Sequence, residues 1–205
     1  MKKFLISKCM NYIEKYTDYD KTKLAEIKYG LEAIYLTISK LIIISLLTLI
    51  LGIFKEMIIY LLIYNIIRMP SFGLHATKSW ICLLTSSILF IGIPILSKFL
   101  IIPLILKLII GIIGICLMYK NAPADTKKRP IVSKKRRLIY KIISTILTLV
   151  FTIISFVVKD NFISNCFVFA IIMQNAMISP LVYKLFKLPY NNYLTYLKKH
   201  PEYSN

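Results

Sequence analysis

Six apolar stretches alternate with short basic segments along this chain, and they confine it to one broad class of fold. They run over Leu31–Phe54, Met57–Met69, Ser79–Leu96, Leu100–Tyr119, Leu138–Val158 and Phe162–Tyr183. In hydrocarbon every backbone N–H and C=O must be satisfied inside the protein, and about 20 mostly apolar residues suffice to cross as a helix. The expectation is an all-α polytopic integral membrane protein with about six transmembrane helices, forming a single domain over residues 1–205. The second stretch has the shortest apolar core. It is either a tilted span or a span whose end enters the break at Pro70–Gly73. A four-span arrangement with two stretches lying in the interface is the other reading.

The chain carries 27 Lys+Arg against 9 Asp+Glu. On a polar fold that excess would suggest nucleic acid. Interleaved with apolar runs, it points instead to anionic inner-leaflet lipid or an acidic peptide, and nucleic acid is not an expected partner. With the N-terminus in the cytoplasm and all six stretches crossing, the inside segments hold seven basic residues in 1–30, two in 68–78, eight in 120–137 and four in 184–199. The outside turns hold Lys55, Lys98 and Lys159. This asymmetry predicts a multi-pass protein with cytoplasmic N- and C-termini and a basic cytoplasmic loop at 120–137.

The first 30 residues read as an interfacial segment. Phe4, Leu5, Cys9, Tyr12, Ile13 and Tyr16 recur at helical spacing, with Lys2, Lys3, Lys8, Glu14 and Lys15 between them. That pattern predicts an amphipathic helix on the inner leaflet; a frayed, solvated tail is the alternative. No small-residue cleavage site follows a short apolar core, so no removable signal peptide is expected. Pro94, Pro103 and Pro180 fall in apolar stretches and are expected to kink helices.

The chemistry concentrates in Arg68-Met-Pro-Ser-Phe-Gly73-Leu-His75-Ala-Thr-Lys-Ser-Trp-Ile-Cys82. One of two histidines stands seven residues before a cysteine, at the edge of a span. A thiol attacks as thiolate, and a nearby imidazole or a helix N-terminus favours that form. If Ser79 caps the third span, Cys82 falls near its third helical position. On one straight helix the two Cα atoms would stand about 10.5 Å apart, too far for a direct hydrogen bond. The pair works better if His75 lies off the helix and the Pro70–Gly73 break folds it back. A lone interfacial histidine and an inert cysteine are the plain alternatives.

Other residues have weaker claims. Arg68 is either a binder of a substrate carbonyl or carboxylate, or a charge anchor. Gly73 permits close backbone approach or simply makes a turn. The loop Asn121-Ala-Pro-Ala-Asp125-Thr-Lys127-Lys128-Arg129-Pro130-Ile131, followed by Lys134-Lys-Arg-Arg137, is a topology anchor or a dock for an acidic peptide. Lys107, Asn65, Gln174 and Asn175 are polar at apolar depth; interhelical hydrogen bonding or snorkelling is favoured over an aqueous pathway. The cysteines Cys9, Cys82, Cys116 and Cys166 contain no C-x-x-C pair, so neither a metal site nor a disulfide framework is signalled. Cys116 and Cys166 read as packing residues. No cofactor is expected.

Arg68…Gly73-Leu-His75-Ala…Cys82, then Ala122-Pro-Ala-Asp125…Lys128-Arg129-Pro-Ile131, together with Lys28-Tyr-Gly-Leu-Glu32, resemble the accessory gene regulator B family of Gram-positive bacteria. The resemblance covers nearly the whole chain. One departure is Phe72, where the family often has the first glycine of a pair. The resemblance implies a bacterial cell-membrane cysteine endopeptidase that trims the C-terminal tail of a small quorum-sensing propeptide and promotes thiolactone or lactone closure. It implies Cys82 as nucleophile and His75 as general base, with Arg68, Gly73, Lys127, Lys128 and Arg129 in support. It further implies an amphipathic propeptide with an acidic tail as partner, and a homodimer. A transporter lined by Lys107 and kinked spans is the non-enzyme alternative.

Overall fold

The computed structural model describes residues 2–74, 79–126 and 129–199. The chain is an all-α polytopic membrane protein, built as two compact units, Met1–Gly52 and Ile53–Asn205. Five helices among the described residues are long and apolar enough to cross a membrane: Thr22–Ile50, Trp80–Phe99, Leu104–Asn121, Lys134–Val157 and Asn161–Ile178.

In the first unit, α1 (Lys2–Tyr16) packs on α2 (Lys21–Ile50). Ile6 and Met10 are its buried residues, while Phe4, Leu5, Tyr12 and Tyr16 stay exposed. The apolar face read from the sequence is thus the uncovered one, as an interfacial helix requires. Helix α2 begins ten residues before the apolar stretch, because nothing in Lys21–Gly30 stops a helix.

The second unit contains α3 (Phe54–Ser71), α4 (Ser79–Ser87), α5 (Ile93–Phe99), α6 (Leu104–Asn121), α7 (Lys134–Val157), α8 (Asn161–Ile178), α9 (Pro180–Leu185) and α10 (Asn192–Lys199). Helix α3 matches α6 and α8 in length but carries Lys55, Glu56 and Arg68. Helix α8 is the hub, packed by α3, α5, α6 and α7. Its start is fixed by Asp160, whose Oδ1 accepts the Ile163 N–H at 2.8 Å.

Packing here inverts the soluble pattern. The buried stripe of α7 is Ser144, Thr148, Thr152 and Ser155, each hydroxyl donating to a carbonyl three or four residues back. Its outer face is apolar, as lipid demands. Across from it, α6 presents Gly111 and Gly114, where an added Cβ would collide with Thr152 and Ile171. Small residues let these backbones approach closely, which drives helix association in lipid. Lys107 donates to Ser164 Oγ at 2.7 Å, and Ser164 in turn donates to the Ser155 carbonyl at 2.5 Å. The interhelical hydrogen-bond reading of Lys107 therefore holds. Asn65 instead bonds its own helix, at Leu61 O.

The prolines act differently from expectation. Pro70 lies inside α3, which runs on to Ser71; the break comes at Phe72–Gly73. Pro94 follows a π-helical turn, Ile88–Gly92, where the Ile93 N–H reaches back five residues to Ile88 O. That widening makes room for a residue without an N–H. Pro103 and Pro180 begin helices instead of kinking them, since a proline costs nothing at a first helical turn. Cys166 is fully buried, but Cys116 is exposed on α6 and is not a core packing residue.

Candidate functional site

The chain leaving α3 is held at every step toward His75. Phe72 has φ 57 and ψ −129, and its N–H donates to Arg68 O at 3.0 Å. Gly73 follows with φ +116. A Cβ there would stand 2.9 Å from both Arg68 Nη1 and Met177 O, so glycine is required by conformation and by space. The Gly73 N–H donates to Ala124 O at 2.9 Å, and the Ala124 N–H donates to Ser71 O at 3.1 Å. This short parallel bridge ties the end of α3 to the Ala122–Asp125 loop. Leu74 is gripped on both sides: its N–H donates to Met177 O at 3.0 Å, and its carbonyl accepts Arg68 Nη2 at 2.9 Å.

Gln174 completes this clamp. Its Nε2 donates to Ser71 Oγ at 2.6 Å and to Phe72 O at 2.9 Å, and the residue is fully buried. Arg68 does more than anchor charge. One guanidinium nitrogen holds Leu74, while Nη1 is buried with no hydrogen-bond partner among the described residues. Three segments distant in sequence therefore converge on residues 71–74: the end of α3, the Ala122–Asp125 loop and the end of α8.

Asp125 organises the loop. It is 3 % exposed. Its Oδ1 accepts the Asn192 N–H at 3.0 Å, and Oδ2 accepts those of Tyr193 at 2.8 Å and Ile131 at 3.3 Å. A carboxylate thus caps the start of α10, where backbone N–H groups lack helical partners. The Asp125 carbonyl accepts Tyr183 OH at 3.1 Å. Arg129 is exposed, in a bridge with Thr126. Nearby, burial holds the Tyr190 phenol above its ordinary pKa, with the Arg137 charge pulling the other way.

Cys82 sits half-buried in the first turn of α4, as that helix's fourth residue. Ser79 is the first residue of the helix and not the one before it, which moves Cys82 one position further in. The first-turn N–H groups of a helix have no intrahelical acceptors and favour negative charge. The Cys82 carbonyl accepts Thr85 Oγ1 at 3.2 Å. His75, Lys127 and Lys128 lie outside the described residues.

Sequence reasoning gave Gln174 a packing role and Asp125 none. The available signals were a buried amide on an apolar helix, and the one carboxylate in the strongly basic segment 120–137. The part played by Met177 O had no signal, since it is a backbone group.

Residues 6–178 match the family model described as accessory gene regulator B. An AgrB-like protein of Clostridium acetobutylicum is 30% identical over 181 residues, covering 88% of this chain and 87% of that one. An AgrB-like protein of Listeria monocytogenes is 32% identical, covering 86% and 87%. The accessory gene regulator protein B of Staphylococcus aureus is 31% identical over 126 residues, covering 62% and 67%. No solved structure matches. With the model match spanning most of the chain, this protein belongs to the accessory gene regulator B family, which is involved in quorum-sensing peptide processing.

Proposed function

We propose that this chain is a membrane cysteine endopeptidase that cuts the C-terminal tail from a small quorum-sensing propeptide and promotes thiolactone or lactone closure. The observation that carries the reading is the clamp on Leu74, whose N–H and carbonyl are both held, directly before His75 in the chain and a short loop before Cys82 in the first turn of α4. A fixed approach to the histidine is what proximity catalysis requires.

In this reading His75 takes the Cys82 proton and the thiolate attacks the scissile carbonyl. The C–N bond breaks, the proton passes from His75 to the leaving amine, and a thioester remains on Cys82. The propeptide's own cysteine then displaces Cys82, giving a ring instead of a free acid. Arg68 and Gly73 shape the approach. Lys127, Lys128 and Arg129 attract the acidic tail of an amphipathic propeptide. The chain works as a homodimer in the bacterial cell membrane, with α3 as a sixth span and both termini in the cytoplasm. External labelling of a cysteine placed at Lys199 in intact cells would overturn that topology. The transporter reading loses its main residue, because Lys107 is engaged by Ser164.

The test uses a propeptide whose ring-forming cysteine is alanine. Cys82 can still be acylated, but the internal acceptor is missing. Mass spectrometry of the quenched protein should find the peptide on Cys82, releasable by hydroxylamine, and Cys82→Ser and His75→Ala should abolish tail release. Normal tail release by Cys82→Ala protein would refute covalent catalysis by this residue.

A further inference from the structure

A cavity of about 480 Å³ opens where α6 ends and α7 begins, walled on its far side by the segment leading into α10. Lys120, Arg137 and Lys141 line it, and no carboxylate is among its lining residues. Arg137 is held in place: its Cζ stands 3.5 Å from the centroid of the Tyr193 ring. Its Nη1 lies 3.8 Å from Asp125 Oδ2, beyond hydrogen-bond length. That Nη1 is buried and has no hydrogen-bond partner among the described residues. Asp125 cannot satisfy it, because both its oxygens are already committed to the N–H groups of Asn192, Tyr193 and Ile131. Lys141 Nζ is 5.0 Å from the Tyr119 ring centroid. The cavity therefore carries three cations, one of them with an orphaned donor, and asks for an anion.

Its surroundings say which kind. The cavity lies at the ends of two spanning helices, where hydrocarbon gives way to water. Directly beside it, Leu117, Leu138 and Ile142 are exposed on the bundle's outer face. A ligand seated here meets cations at one end and a lipid-facing apolar wall along its length. Basic pockets between spanning helices hold phosphate headgroups for this reason. A peptide carboxylate would satisfy the cations but has no use for the wall.

We propose that this cavity binds the phosphate headgroup of one anionic lipid, with its acyl chains lying along the α6–α7 face. Arg137 and the two lysines hold the phosphate, and Tyr190 and Tyr193 close the side toward α10. The inference rests on α6 and α7 being embedded in a bilayer; it stands independently of the peptidase reading, and its test does not read peptide cleavage.

The full chain in mild detergent is titrated with phosphatidylglycerol, phosphatidylcholine, glycerol phosphate and a hexaglutamate peptide, with binding read by native mass spectrometry. One equivalent of phosphatidylglycerol should bind at least tenfold more tightly than phosphatidylcholine. Lys120→Gln combined with Lys141→Gln should weaken it by roughly 25-fold, about fivefold per lysine. Lys198→Gln with Lys199→Gln on α10 should leave it unchanged. Thermal melting confirms that each variant keeps its fold, and Lys141→Gln alone serves if the double variant does not. Undiminished binding by a folded variant overturns the site. Glycerol phosphate binding as tightly as the lipid makes this a site for free phosphate and overturns the lipid assignment. Hexaglutamate binding more tightly than phosphatidylglycerol assigns the cavity to a peptide and overturns it as well.

Discussion

Gly73→Ala tests whether the geometry before His75 matters. At φ +116 an L-residue is strained by about 1–3 kcal/mol. The added methyl also meets Met177 O at 2.9 Å, a backbone atom at the end of a packed helix that cannot swing aside. The simplest relief is to push Leu74 away from α8, breaking its 3.0 Å bond to Met177 O at a net loss of about 0.5–1.5 kcal/mol. Together these give about 2–4 kcal/mol against the clamped conformation. If tail release requires that conformation, the rate should fall roughly 30- to 1000-fold. The bundle itself should survive, because the strain is confined to a segment outside its helices.

Neighbouring Phe72 provides the contrast. It also has positive φ, so Phe72→Gly relieves strain while losing an edge-to-face contact with Tyr140 at 5.1 Å between ring centroids. These terms are of similar size, about 1 kcal/mol each at their lower ends, and nearly cancel. The assay is propeptide tail release in nanodiscs, with hydrogen exchange at the Gly73 and Leu74 amides. Gly73→Ala should lose protection at both amides and Phe72→Gly at neither. Tail release within threefold of the parent, with protection intact in Gly73→Ala, would refute the reasoning.

Gly111→Ala places a methyl into Thr152, a β-branched neighbour with little freedom to give, and should destabilise the bundle by about 1–3 kcal/mol, read as a lowered melting point in detergent. Asp125→Ala removes the acceptor for three backbone N–H groups and should release α10, seen as faster tryptic cleavage after Lys198 while the spans stay intact. The Glu56–Lys98 bond at 2.8 Å holds the Glu56 carboxyl below its ordinary pKa. A depressed carboxyl contributes stability above its unfolded pKa and loses it as pH falls through the folded one. The difference between parent and Glu56→Gln stability, under about 1 kcal/mol at neutral pH, should therefore vanish below about pH 4; a difference that grows on acidification would contradict this.

What the sequence determined by itself was class and inventory. Long apolar runs leave a chain no alternative to helices in lipid, and the five strong spans follow from that alone. The same logic placed an amphipathic helix at the N-terminus, because helical spacing of apolar residues is a local property. The cysteine before the third span, the histidine seven residues earlier and the Ala-Pro-Ala-Asp loop were likewise visible as residues. The tertiary structure decided what these residues meet. Hydropathy measures transfer into lipid, so it marked the outer face of α7 and passed over Ser144, Thr148, Thr152 and Ser155, the face that packs. It ranked Gln174 as a polar residue to be satisfied somewhere, but only the approach of α8 to α3 made it the bridge to Ser71 and Phe72. Asp125 is one acid in a basic loop until the chain returns 67 residues later and presents the N–H of Asn192 to it. Such contacts depend on backbone groups brought together by folding, and a backbone N–H or carbonyl looks the same at every position of a sequence.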